Sequence, residues 1–217
     1  MDLKKIMDWR YSTKAFNTEK KISEADFEQL KSILHMSPSS TNLQPWHYVI
    51  ASDQAGKERV AKGTEGFFKF NKSKILNASH VVVFASRIHA DEDYLLKLLE
   101  QEDKDGRYAK PEVKKDMHQG RNLFADIHKN DLKDETHWMG KQTYLSMGML
   151  LLGAAAMGID AVPMEGIDLK AMDEEFGLRD NGYASLAVVA LGYRKEDDFN
   201  AKLPKSRLPF EDISTEI

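Results

Sequence analysis

The chain reads as a single α+β domain with a small central sheet enclosed by helices. Three observations give that class. Strand-like runs at 46–51, 80–85, 161–164 and 186–192 are short and few, and longer helical patterns separate them. A length of 217 residues, with 41% hydrophobic and 30% charged residues, suits one globular unit with a sizeable core. No internal repeat, low-complexity tract or composition break marks a linker.

Residues 2–9 form a short helix that runs into Arg10-Tyr11-Ser12. A second helix starts at Ser23, whose hydroxyl can cap its N-terminus, with Ile22 and Phe27 placed as a hydrophobic staple. Its apolar face is Phe27, Leu30, Ile33 and Leu34. From Ser37 to Trp46 the chain places four hydroxyls and two carboxamides in ten residues, stiffened by Pro38 and Pro45. Such a loop can hold a polar or phosphorylated ligand, although the same composition also makes an ordinary turn. Between the first two strands, residues 54–75 read as helical and basic, broken by Gly63 and Gly66. Residues 91–105 and 111–130 are charged amphipathic helices separated by Gly106 and Pro111. Residues 135–157 are apolar nearly all round in their second half, which suits a core or an interface. Gly148 and Gly153 there would let another helix approach closely. The last stretch, 202–217, is too apolar for a loose tail and is expected to pack on another surface, such as a second subunit.

Composition removes several classes of function. A net charge of −4 argues against a general nucleic-acid binder. With no cysteine there are no disulfides, thiolate nucleophiles or iron–sulfur ligands, so any electron transfer needs an organic cofactor. The serines lack a GxSxG elbow, and neither GxGxxG nor GxxxxGK[ST] occurs. His118, His128 and His137 have no recognised ligand spacing, so no metal site is expected. Residues 1–5 lead into a charged helix without an apolar signal region, and the apolar run 147–159 is too short to span a bilayer, so a cytoplasmic location is the expectation.

Two basic segments stand out. Arg10, Ser12 and Lys14 alternate where the first helix ends, and Lys205 and Arg207 alternate inside Leu203-Pro204-Lys205-Ser206-Arg207-Leu208-Pro209. Alternation in an extended segment sends both charges to one side. A cation in contact with a phosphate is worth about 4 kcal/mol at an effective dielectric of 20, before desolvation. Any one of these charges also reads as an ordinary solvated side chain. Asn71 and Lys74 share one helix face, and Pro163-Met164-Glu165-Gly166 follows a strand, with Gly166 permitting close approach of a ligand.

Taken in register, 10–16, 37–46, 161–166 and 203–207 resemble the FMN-dependent, oxygen-insensitive NAD(P)H nitroreductases, especially the bacterial minor nitroreductase/dihydropteridine reductase branch. The resemblance covers essentially the whole chain. It implies an α+β nitroreductase fold with a mainly antiparallel sheet. It also implies an intertwined homodimer with two FMN sites at the subunit interface, and a single domain over 1–217 whose segment from about 200 to 217 wraps onto the partner. Carried over by position, Arg10, Ser12, Lys205 and Arg207 hold the FMN phosphate and ribityl chain, and Lys14, Asn71 and Lys74 face the pyrimidine edge. Pro38, Ser39, Ser40 and Asn42 come from the other subunit. The Pro163, Met164, Glu165 and Gly166 segment lies along the isoalloxazine, and Thr41, Phe68 and Phe124 wall the substrate pocket. Tyr11 and Phe68 stand where some relatives carry His and Tyr.

The activity implied is ping-pong, two-electron hydride transfer from NADH or NADPH to nitroaromatic, quinone or pterin-like acceptors. The flavin carries the chemistry, tuned by Lys14, Lys74 and Glu165, and the protein supplies no catalytic nucleophile. Two other readings stay open on sequence: an FMN storage or carrier protein without efficient turnover, and a colourless helical interaction protein whose basic and Ser-rich segments are surface turns.

Overall fold

The computed structural model describes residues 2–217. Helices α1 (Leu3–Trp9) and α2 (Glu24–His35) precede strand β1 (Trp46–Ala51). Then come α3 (Gln54–Ala61), α4 (Lys72–Asn77), β2 (His80–Arg87), α5 (Glu92–Lys104), α6 (Pro111–Asp126) and α7 (Glu135–Ala156). Strand β3 (Asp160–Met164), α8 (Leu169–Phe176) and β4 (Tyr183–Gly192) complete the core. The four strands form one antiparallel sheet in the order β1-β2-β4-β3, with a bulge between β2 and β4 at Phe84/Ala85. The α+β class with a small antiparallel sheet is what the sequence predicts.

Both faces of the sheet are covered, which is why β2 reads as an unbroken apolar run and not as an alternation. Val81 and Val83 join Val188 and Ala190 on one face, against Val60 of α3, Ile75 of α4 and Met172 of α8. Val82 and Phe84 join Ala187, Val189 and Leu191 on the other, against Leu30 of α2 and Leu150 of α7. A third cluster, with Leu43, Leu95, Leu98, Trp138 and Met139, ties α5 and α7 to the end of the Ser-rich loop.

Local signals explain most boundaries. Ser23 Oγ accepts from the Asp26 amide at 3.1 Å, and Ile22 and Phe27 are both buried in the same cluster, so cap and staple are present. Gly66 breaks the basic 54–75 segment with φ +59°, while Gly63 instead admits Met172: a Cβ at Gly63 would lie 2.6 Å from the Met172 sulfur. In α7, Gly153 lets Ile33 of α2 approach; nothing lies within 4 Å of a Cβ at Gly148. Some boundaries differ from expectation. Strands β2 and β4 run on through Ser86–Arg87 and Tyr183–Ser185, and α6 ends at Asp126 in a π-helical turn, Ile127–Asp131. Helix α8, capped by Asp168 and stopped by left-handed Gly177, has no counterpart in the sequence reading.

His80 at the start of β2 stacks on Phe27 at 3.9 Å. Burial, helped by the charges of Lys57, Lys21 and Lys31, pushes its pKa from 6.5 down to about 4. A histidine with a depressed folded pKa binds its proton more readily when unfolded. Its contribution is therefore complete above pH 6.5 and is lost as pH falls toward 4. Partial exposure of the ring discounts the effect to about 1–2 kcal/mol. Urea unfolding of His80→Gln across this pH window should show a flatter decline than the parent; an equal decline would assign the slope to other groups.

Candidate functional site

The structure brings the two chain ends together. Arg10, Tyr11, Ser12, Asn200, Leu203, Pro204, Lys205, Ser206 and Arg207 line one hollow of about 230 Å³, with no carboxylate among them. Desolvation and then the nearby Arg207 charge lower the Arg10 pKa. Lys205 is lowered in the same way, by desolvation and then by Arg10. Three cations that disfavour one another around a hollow form a site for a multiply charged anion. Lys205 Nζ is itself steadied by the Met7 and Asp8 carbonyls at the end of α1, the latter at 2.8 Å.

What holds the two halves of this cradle is a residue the sequence reading passed over. Asp198 is fully buried. Its Oδ2 accepts from the Lys14 amide at 2.8 Å, the Ala15 amide at 3.2 Å and the Tyr11 hydroxyl at 3.1 Å. Its Oδ1 accepts from the Asn200 amide at 3.0 Å, and the Asn200 side chain donates to the Ser12 carbonyl at 2.8 Å. Tyr11 thus points its hydroxyl at Asp198, and its ring lies under the Arg194 guanidinium, which Trp9 covers from another side. Burial is the main cause of the rise in the Tyr11 pKa to about 12.

A line of polar groups continues from the cradle along β3. Ser12 bridges Ala161, so Arg10–Lys14 runs beside the sheet edge. Burial and then the Lys14 charge lower the Lys74 pKa. Lys74 Nζ donates to Asn71 Oδ1 at 2.7 Å, and Asn71 Nδ2 donates to the Gly166 carbonyl at 2.8 Å. A Cβ at Gly166 would lie 3.0 Å from Asn71 Nδ2 and 3.2 Å from the Phe70 ring, so glycine lets both side chains pack against this turn. The Met164 side chain is buried in the core, which leaves its backbone for a ligand, while Pro163 is half-buried. Glu165 is held from outside by Tyr144 of α7, whose hydroxyl donates to Oε1 at 2.6 Å. Burial first, and Glu165 second, push that phenol up to about 12. Phe68, half-buried, packs edge-on to Phe67 in the 3₁₀ segment Gly66–Asn71.

The other candidates lie elsewhere. Pro38, Ser39, Ser40, Thr41 and Asn42 precede β1, on the opposite edge of the sheet from β3. Ser39 Oγ accepts from the Gln44 amide, Ser40's amide donates to Gln142 of α7, and the Thr41 carbonyl accepts from Arg121 of α6. Phe124 lies one turn beyond Arg121 and is 49% exposed. Trp46 sits level with Ala184 of β4, whereas Ala161 beside the cradle is paired with Leu191. Three strand spacings across and seven residues along place Trp46 ~30 Å from Ala161 at the cradle end of β3. Within one protomer, then, Arg10, Ser12, Lys14, Asn71, Lys74, Gly166, Lys205 and Arg207 form one group, and Ser39 to Asn42 with Phe124 form another.

Comparison with known proteins adds to this geometry. The model of the nitroreductase family matches residues 7–193. An oxygen-insensitive NAD(P)H nitroreductase of Salmonella typhimurium is 51% identical over 217 residues, covering all of both chains. The major NAD(P)H-flavin oxidoreductase of Aliivibrio fischeri is 32% identical, covering 95% of this chain and 94% of its own. Among solved structures, a protein of Exiguobacterium sibiricum crystallised with FMN superposes with a TM-score of 0.82 at 23% identity, covering 100% of this chain and 98% of the other.

Proposed function

Because this chain belongs to the nitroreductase family, we propose that it is an FMN-dependent NAD(P)H oxidoreductase that reduces nitroaromatics, quinones or pterin-like acceptors. The observation that carries the reading is the cation cradle, followed by the line of polar groups along β3. The hollow has the size and charge for a phosphate monoester, and the Lys74–Asn71–Gly166 chain of hydrogen bonds offers polar groups for a heterocycle edge, so the residues present fit FMN. When bound, FMN supplies the two-electron hydride chemistry that no side chain here can perform.

The chain's own residues bind and orient. Arg10, Lys205 and Arg207 anchor the phosphate, with Ser12 beside them. Lys14 and Lys74 place positive charge at the pyrimidine edge, where negative charge develops on reduction. Asn71 locks Lys74 to Gly166 and so keeps that edge in register. The backbone at Glu165 and Gly166 forms the surface beneath the ring, with Pro163 and Met164 leading into it.

We further propose a homodimer, because the phosphate cradle and the Ser39–Asn42 loop lie at opposite edges of the sheet in one protomer, and a second copy would bring that loop to the partner's cradle. The face of α7 bearing Leu145 and Met149 is exposed, as are Leu203, Leu208, Phe210 and Ile213 of the C-terminal segment. Apolar surface of that extent favours burial against a partner, and the segment from about 200 to 217 would wrap onto it. Pro38, Ser39, Ser40 and Asn42 would then reach the partner's flavin, and Thr41 and Phe124 would face Phe68 across an open slot. No helix of the described residues is long and apolar enough to cross a membrane. The location proposed is cytoplasmic.

One slot used in turn by the nucleotide and the acceptor gives parallel double-reciprocal lines in steady-state kinetics. Intersecting lines would contradict a shared slot. Nothing in the site favours storage over turnover.

A further inference from the structure

Thr41, Asn42 and Gln44 hold left-handed backbone, with φ of 50°, 54° and 48°, although none is glycine. Such conformations cost about 1–3 kcal/mol each and persist only where the surroundings impose them. Here the surroundings are a buried ion pair. The side chains of Arg121 on α6 and Glu102 on α5 are 1% and 4% exposed. Arg121 Nη2 lies 2.7 Å from each oxygen of Glu102, and its Nε donates to the Thr41 carbonyl at 2.9 Å. The Asn42 carboxamide donates to Glu102 Oε1 at 2.6 Å, and the Tyr108 hydroxyl donates to Oε2. Burial pushes the Glu102 carboxyl up, but the hydrogen bonds from Arg121, Asn42 and Tyr108 outweigh it and leave the pKa lowered.

A buried ion pair is a poor device for stability, since well-packed apolar residues often do as well or better. It can do what apolar residues cannot: fix the carbonyl of one loop residue and the side chain of the next. Arg121 also lies on the same helix as Phe124, one turn away. On the flavin-enzyme reading above, we infer that Arg121 and Glu102 are positioning residues that set the width of the acceptor slot, by holding Thr41 and Asn42 against the α6 scaffold that carries Phe124.

The test uses the full-length, flavin-loaded protein and compares the parent with the double variant Glu102→Leu/Arg121→Met and with Tyr108→Phe. The double variant should fold and keep most of its flavin, because the three cations of the phosphate cradle lie elsewhere, while its melting temperature falls somewhat as Asn42, Tyr108 and the Thr41 carbonyl lose their buried partners. Its KM for a small quinone such as menadione should rise about tenfold, with kcat changed far less, because the slot loosens without losing its cofactor. Discrimination between menadione and a bulkier nitrofuran should narrow in parallel. Tyr108→Phe removes one donor and should shift KM in the same direction by about twofold, which keeps the inference decidable if the double variant does not fold. Parent-like KM and selectivity in a folded, flavin-loaded variant would overturn the positioning role alone. A parent that binds no flavin would overturn the function and this inference together.

Discussion

Replacing Arg207 by alanine is expected to weaken FMN binding about 30-fold, corresponding to about 2 kcal/mol for one charge-assisted contact to phosphate. The bare Coulomb attraction is larger, about 4 kcal/mol at contact, but Arg207 lies in an exposed segment and solvent takes part of it back. Two features make the loss specific to the phosphate. The Arg207 charge helps to lower the Arg10 pKa, so an anion between them relieves a repulsion that the variant lacks. In addition, no carboxylate lines the hollow to compensate. Fluorescence titration with FMN and with riboflavin checks this: the FMN constant should rise and the riboflavin constant should not. Equal weakening for both would place Arg207 away from the phosphate, and unchanged FMN affinity would remove it from the site.

Asp198→Ala should be the more damaging change to the protein itself. Four donors converge on this carboxylate: the Tyr11 hydroxyl and the amides of Lys14, Ala15 and Asn200. The residue is fully buried, so water does not replace the lost acceptor. Leaving several buried donors unpaired costs about 3–5 kcal/mol in total, a large share of a typical domain's stability. The damage should also reach the cofactor, because Asp198 joins the 11–15 segment to the segment that carries Lys205 and Arg207. Urea unfolding measures the first effect, and flavin retained through gel filtration measures the second. A loss below about 1 kcal/mol would show that the loop orders without this hub.

Which parts of this were legible in the sequence follows from how far each interaction reaches along the chain. The strands at Trp46–Ala51 and in the valine run of β2 announce themselves because both sheet faces are covered. Their polar ends, Ser86–Arg87 and Tyr183–Ser185, carry no such signal, since pairing across strands and not local pattern extends them. Helix α8 had its punctuation in Asp168 and Gly177, but eight residues give little periodicity to read. Arg10, Lys14, Lys205 and Arg207 were legible as basic motifs, but alternation fixes only the side a charge faces, and that the two chain ends meet was implied by the resemblance alone. Asp198 was not, because within Glu196-Asp197-Asp198 it looks like a solvated acidic run, and three of its four partners lie more than 180 residues away. Glu102 and Arg121 were hidden in the same way inside charged amphipathic helices, where a residue buried by tertiary packing looks like its exposed neighbours. Glu165 was legible by position, but the Tyr144 hydroxyl that holds it comes from a helix recognisable only as apolar.

The most direct test of a pyridine-nucleotide-driven flavoenzyme is the visible absorbance of the purified protein under argon, before and after addition of NADH or NADPH. Yellow flavin bands that bleach on addition, and return when a quinone is added, are the expected result. A colourless protein that also refuses added FMN, or flavin bands that neither nucleotide bleaches, would contradict it.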